Sequence, residues 1–276
     1  MKFGFVLPYG DATEAGELAE LAENCGWDGF FVWEPLWGFD AWIQLAAAAM
    51  RTDKIRLGTM ISPLSRMKPW KLASETVTLD HLSAGRLVLS VGLGAVDTGF
   101  AEFGEVTDRK IRAELLDEGL EILTGLWRGQ PFLYEGKHFQ IQPVDFYSPP
   151  APLQKPRIPI WVVGAWPRQK SMRRVLQYDG ILPNKLLPDG THSPIRPDDI
   201  RQISAWIETH RESDAPFDIV VEGVTSSKNK NHAKKEVLPW TDAGATWWIE
   251  ALWSQSGVEQ DLQTIRNRIK HGPPVI

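Results

Sequence analysis

One cysteine in 276 residues excludes a disulfide scaffold. Cys25 has no partner in the chain, which fits a reducing compartment. Metal chemistry also lacks its signatures. The six histidines are His81, His138, His192, His210, His232 and His271, with no His-x-His or His-x-x-x-His spacing and no cysteine pair beside them, so no metal site is expected. There is no Gly-x-Ser-x-Gly elbow to present a hydrolase nucleophile. Positive charge is in short supply: 30 Lys and Arg against 35 Asp and Glu leave a net charge of −5, ill suited to a general nucleic-acid or anionic-membrane binder. No apolar run approaches the roughly 18 residues of a membrane span. The opening stretch carries Asp11, Glu14, Glu17 and Glu20, unlike a signal or transit peptide, so a cytoplasmic protein is expected.

What is present is a rhythm. Lys2-Phe-Gly-Phe-Val-Leu7 reads as a strand, and Ala15, Leu18, Ala19, Ala22 and Cys25 follow at helical spacing with Gly26 as the stop. The unit recurs, with strand starts near 3, 29, 55 and 86. Continuous apolar runs without strict alternation are what strands covered on both faces show. Further strands are expected at 160–163, 180–183 (ended by Pro183), 217–221 and 246–249. Helices are expected after them at 168–177, 198–211, 229–240 and 258–270. Eight βα units predict a (β/α)₈ TIM barrel of one domain, residues 1–276, near the usual size of roughly 250 residues. A doubly wound open sheet with a small lid would leave the last two units surplus. Residues 92–158 break the rhythm as a loop, an amphipathic helix ending at Gly129, a small hairpin turning at Glu135-Gly136 and a proline-rich connector. They read as an insertion decorating the C-terminal face of the barrel.

Barrel enzymes work at the C-terminal ends of their strands. That rule nominates 8–11; Glu34, Trp37 and Asp40; 59–66; 92–97; 164–171; Asn184 and Lys185; 222–225; and Glu250. The loop Val91-Gly-Leu-Gly-Ala-Val-Asp-Thr-Gly99 has the wrong glycine spacing for a dinucleotide fingerprint. Gly92 and Gly94 are expected instead to let a ligand plane or a neighbouring loop come close to the backbone. Gly164-Ala-Trp-Pro-Arg-Gln-Lys-Ser171 places Arg168, Lys170 and Ser171 at a helix start, where an anion such as phosphate is favoured; a solvated basic face is the alternative. Of the thirteen tryptophans, Trp70, Trp127 and Trp206 are expected to pack on helices. Trp37 and Trp166 are candidates for an apolar substrate wall, and at most one of Trp247 and Trp248 faces the interior. A glycoside hydrolase using Glu34 and Glu250 as its carboxylate pair is a competing reading.

Several segments resemble a known family. Leu57-Gly-Thr-Met-Ile-Ser-Pro-Leu64, the run from Glu75 to Leu87, Val91-Gly-Leu-Gly94, Leu116-Asp-Glu-Gly-Leu-Glu-Ile-Leu123, Pro159-Ile-Trp-Val-Val-Gly164 and Gly244-Ala-Thr-Trp-Trp-Ile-Glu250 are similar to the luciferase-like flavin-dependent monooxygenases. The resemblance implies a (β/α)₈ barrel, usually a homodimer, that binds FMN or the deazaflavin F420 at the strand C-termini. It places an unusual cis peptide and a bulge among Thr59, Met60, Ile61 and Ser62, sets Gly92 and Gly94 near the ring, and puts the phosphate at Gly164, Arg168 and Ser171. Some F420-dependent members carry a catalytic histidine after the second strand; Glu34 stands there in this chain. The leading expectation is an oxidoreductase using reduced FMN and O₂ on a small organic substrate, with a separate flavin reductase as a possible partner. The alternative is F420-dependent hydride transfer with Glu34 handling the coupled proton.

Overall fold

The computed structural model describes residues 1–144, 148–226, 229–253 and 261–276. Eight parallel strands form the barrel: β1 (Lys2–Leu7), β2 (Gly29–Val32), β3 (Arg56–Thr59), β4 (Leu87–Val91), β5 (Ile160–Trp166), β6 (Gly180–Leu186), β7 (Asp218–Gly223) and β8 (Trp247–Ala251). They are hydrogen-bonded in sequential order, β8 pairs with β1, and β6 pairs with β7, so the sheet closes. Helices α1 (Ala12–Asn24), α2 (Ala41–Arg51), α3 (Pro69–Leu82), α4 (Arg109–Arg128), α5 (Gln169–Val175), α6 (Pro197–His210), α7 (Lys230–Asp242) and α8 (Leu262–Lys270) follow the strands in turn. Residues 258–260 of the expected last helix lie outside the described residues. Among the described residues no helix is long and apolar enough to cross a membrane.

Side-chain alternation divides the core. Outward-facing strand residues such as Phe5, Phe30, Leu57, Leu89 and Val162 pack under the helices. Inward-facing ones, among them Val6, Val88, Leu182 and Ile249, fill the barrel. Three rings dominate that interior: Phe31, Trp161 and Trp247 lie 5.3–6.1 Å apart between centroids. Glycines make room for them. A Cβ at Gly4 or Gly29 would lie 2.7 or 2.6 Å from the Phe31 ring, and one at Gly180 would come within 2.5 Å of Trp161. Trp248 faces outward and meets Trp240 of α7, so one of the adjacent pair is inside.

Capping fixes where the helices begin. Asp11, Asp40, Asp108, Asn229 and Asp261 each accept a main-chain N–H at the start of α1, α2, α4, α7 and α8. Two expectations need correction. β6 does not stop at Pro183 but runs to Leu186. Its pairing with β7 ends at Ile181 and an antiparallel pairing with His192 and Ser193 begins only at Lys185, so at Pro183 that edge is open and a residue without an N–H is tolerated.

The hairpin and connector of 92–158 do not decorate the C-terminal face. Tyr134–Glu135 and Gln140–Ile141 lie along α4, where Glu118 accepts the N–H groups of Lys137, His138 and Phe139 and Glu114 meets His138. The connector continues beside α3, with Asp80 accepting from the main chain of Leu153 and Gln154. Its residues 145–147 lie outside the described residues. On α3, Val77 and Leu79 are buried within the chain, while Trp70 meets Phe139 edge-on and stays exposed.

A methyl group at Gly58 would overlap the Val88 carbonyl oxygen and press on the Phe31 ring. Gly58→Ala is therefore expected to destabilise the barrel by about 1–3 kcal/mol, read from the midpoint of a denaturant titration.

Candidate active site

Above the aromatic layer, the loops after β2, β3 and β4 converge on one carboxyl group. The Ser62 hydroxyl donates to Glu34 Oε2 at 2.8 Å, and Thr59 Oγ1 lies 3.1 Å from Ser62 Oγ. Arg66 holds the same loop from beneath, its guanidinium donating to the Pro35 carbonyl at 3.0 Å and the Glu34 carbonyl at 3.4 Å. Burial pushes the Glu34 carboxyl up to about 7; the Ser62 hydroxyl and the Arg66 charge pull the other way without cancelling it. A group with that affinity gives or takes a proton readily near neutral pH.

The chain reaches Ser62 through a bulge. Met60 and Ile61 are joined by a cis peptide bond, at the place the resemblance implies. Beyond it Ser62 bridges back to Val91 of β4, and its N–H donates to the Ser90 carbonyl at 2.8 Å. Gly92 is required here: its Cβ would lie 2.6 Å from Ile61 and 2.8 Å from Val163. Gly94 has φ +74°, and a Cβ there would press on Phe100 and Pro63 at 2.8 Å. Both glycines thus admit a neighbouring loop. Arg112 then fastens that loop, donating to the Leu93 and Gly94 carbonyls at 3.0 Å each. A pocket of about 120 Å³ lies between these loops, bordered by Trp33, Glu34, Met60, Ile61, Arg66 and Gly94.

The remaining candidates scatter. Ser171 Oγ accepts the Ala165 N–H at 2.9 Å and ties α5 to the end of β5. Arg168 is exposed and donates to the Leu187 and Pro188 carbonyls at 3.3 and 3.2 Å. Gly164 faces the helix layer, where a Cβ would meet Ile181 at 2.5 Å. Trp166 shares that outward parity and meets Trp206 of α6, so it does not wall the mouth. Trp37 is 85% exposed on the loop between β2 and α2. Glu250 is fully buried and faces outward, bound by Arg268 at 3.0 Å and by the Thr225 N–H and hydroxyl at 2.8 and 2.9 Å. With both oxygens engaged behind the barrel wall, it cannot form a carboxylate pair with Glu34, and the glycoside hydrolase reading is set aside.

Two residues carry more than their sequence positions suggest. Arg66 stands in the nominated stretch 59–66 without a role of its own. Arg112 was detectable as a cation within the apolar stripe Arg112, Leu116, Leu120 and Leu123 of α4. The mouth also contains buried polar atoms with no protein partner, Ser90 Oγ and Arg66 Nε. Together with the apolar Met60–Ile61 bulge and a neutral-range carboxyl, these suit a flat, partly polar ring of the FMN or F420 kind.

A family model described as luciferase-like monooxygenase matches residues 1–273. Among curated proteins, a putative coenzyme F420-dependent oxidoreductase of Mycobacterium tuberculosis is 33% identical over 145 residues, which is 51% of this chain; the chain spans 41% of that relative's length. Among solved structures, an F420-dependent secondary alcohol dehydrogenase in complex with an F420-acetone adduct aligns with a TM-score of 0.78 at 16% identity, covering 99% of this chain and 98% of the other. The FMN-bound oxygenating constituent of 3,6-diketocamphane monooxygenase from Pseudomonas putida aligns with a TM-score of 0.65 at 21% identity, covering 86% and 71%.

The raised affinity of Glu34 for its proton links stability to pH. A carboxyl that titrates near 7 in the fold and about 4.5 when unfolded favours the folded state below about 4.5, and loses that advantage as pH rises to about 7. Wild type is therefore expected to lose up to about 3 kcal/mol relative to Glu34→Gln between pH 4.5 and 8, measured by denaturant titration at each pH. A stability difference that stays flat across this range would mean that Glu34 titrates as an ordinary surface acid.

Proposed function

The chain belongs to the luciferase-like monooxygenase family, and from that premise we propose that it is an F420-dependent oxidoreductase acting on a small organic substrate at the barrel mouth. The observation that carries the reading is the Glu34 carboxyl, shielded from water, held by Ser62 and titrating near neutrality. Hydride transfer to or from a carbonyl or alcohol carbon needs a proton moved in step, and we assign that move to Glu34. The F420 named for the curated relative supports the same cofactor. When bound, F420 supplies two-electron hydride chemistry.

The protein's part is positioning. Met60, Ile61, Gly92 and Gly94 would border the ring, and Ser62, itself beside the Thr59 hydroxyl, holds the Glu34 oxygen in place. Arg66 keeps the loop carrying Glu34 from turning away. Arg168, with the hydroxyl hydrogen of Ser171 left over from its bond to Ala165, would hold the cofactor phosphate. A homodimer belongs to the proposal too, with the exposed Ile43 and Met50 of α2 as the apolar surface available for it.

Titration with F420 and with FMN tests the assignment. F420 is expected to bind at micromolar concentration, its band near about 420 nm shifting on binding. Arg168→Ala is expected to weaken that binding by about 1–3 kcal/mol. Glu34→Gln should bind F420 nearly as wild type does, while slowing F420-coupled turnover of any alcohol or enone the wild type accepts. Binding of FMN alone would replace this reading with the oxygen-using one and its flavin reductase. Binding of neither at tens of micromolar would end both.

A further inference from the structure

The seventh strand ends on a carboxylate that the reading above leaves unused. Val220 is in register with Trp247, and Glu222 with Ile249. Val220, Trp247 and Ile249 all belong to the barrel interior, so Glu222 faces inward as well, one layer nearer the mouth. In the eight-stranded ring β7 stands opposite β3, so Glu222 and the Ser62–Glu34 pair occupy opposite sides of the opening. Asn184 of β6 has the same inward parity beside it, and its Oδ1 is engaged by His192 at 2.8 Å.

Glu222 is incompletely matched. Its Oε2 accepts the indole N–H of Trp253 at 2.9 Å. Among the described residues no Lys, Arg or His pairs with it, whereas the buried acids Glu250 and Asp199 are matched by Arg268 and Lys185. Solvent reaches the residue through the mouth, yet protein atoms crowd the carboxyl and hold its affinity for a proton above the usual range. The side chains around it are apolar. A cavity of about 290 Å³ opens where β6 and β7 part, walled by Leu182, Val220, Pro194, Ile195 and Trp240. A lone carboxylate in such walls is costly until a cation completes it, and an anion is repelled. A neutral apolar ligand would fill the same walls without relieving the charge.

We propose that Glu222 recognises a cationic head, an ammonium group on a compact apolar body, so that the mouth takes a small hydrophobic amine that also carries the reacting alcohol or carbonyl carbon. The inference rests on the mouth being the place where substrate binds, and gives the class of that substrate. Glu222 acts as a specificity residue on one side of the opening, leaving proton handling to Glu34 on the other.

Isothermal titration of the whole chain, without cofactor and at constant pH, tests it with three probes of one shape: 2-phenylethylammonium, 2-phenylethanol and 3-phenylpropionate. The ammonium is expected to bind at least about tenfold more tightly than the alcohol, and the carboxylate most weakly. Glu222→Gln should reduce that preference to about twofold or less, Glu222→Asp should keep part of it, and Glu34→Gln should leave it intact. The proposal is overturned if the alcohol or carboxylate matches the ammonium, or if Glu222→Gln keeps the preference. It is overturned equally if Glu34→Gln abolishes the preference, or if no probe binds at millimolar concentration. Cofactor titration is independent of these outcomes: an intact ammonium preference without F420 or FMN binding would remove the redox reading and leave Glu222 as a cation site.

Discussion

The rest of the structure depends on how three aromatic rings are fitted inside a narrow cylinder. Phe31, Trp161 and Trp247 occupy the interior together only because Gly4, Gly29, Gly58 and Gly180 withhold side chains on the strands beside them. This packing decides the depth of the site. A filled lower interior leaves no channel through the barrel, so a ligand is confined to the upper rim and the loops above it. The chemistry therefore falls to residues just past the strands, on segments whose positions must be secured by other means.

Those means are main-chain carbonyls caught by one half-buried and one buried arginine. Arg66 grips the loop after β2, and Arg112 grips the loop after β4. Between them the bulged Met60–Ile61 segment returns to β4 through the Ser62 bridge. Three loops from three βα units thereby lean on one another, and the Glu34 carboxyl is fixed by contacts that none of the three provides alone. Burial of that carboxyl follows from the same convergence. The side chain is shielded by neighbouring loops, and the one hydroxyl that reaches it only partly offsets the lost water.

Much of the architecture was legible because it follows from punctuation. Gly26, Pro69, Gly85 and Gly129 mark helix ends or starts where the structure has them, and the apolar runs fall on the barrel strands. The bulge and Glu34 were also legible, one from resemblance and one from its place after β2. Side-chain direction was not. A strand covered on both faces carries no alternation, so nothing in Ile160-Trp-Val-Val-Gly-Ala-Trp166 tells which phase points inward. The phase is settled by the Trp161 ring in the interior, and it sends Trp166 outward to Trp206. Glu250 was misjudged for the same reason, since its partner Arg268 lies on a helix that sequence separation hides. The hairpin's berth along α4 rests on Glu114 and Glu118, two acids that read as ordinary solvated charges until their partners are seen.

The closure between β6 and β7 has a mechanical meaning. Only Gly180 with Asp218 and Ile181 with Ile219 are in register there, against five residue pairs where β8 meets β1. The chain's first and last strands are thus its firm join, and the seam lies inside the sequence. β3 and β4 share only two pairs as well, but the Ser62–Val91 bridge carries their join on toward the mouth, where β6 and β7 part. The side of the rim that stays joined contains the Ser62–Glu34 pair; the side where the strands part contains Glu222.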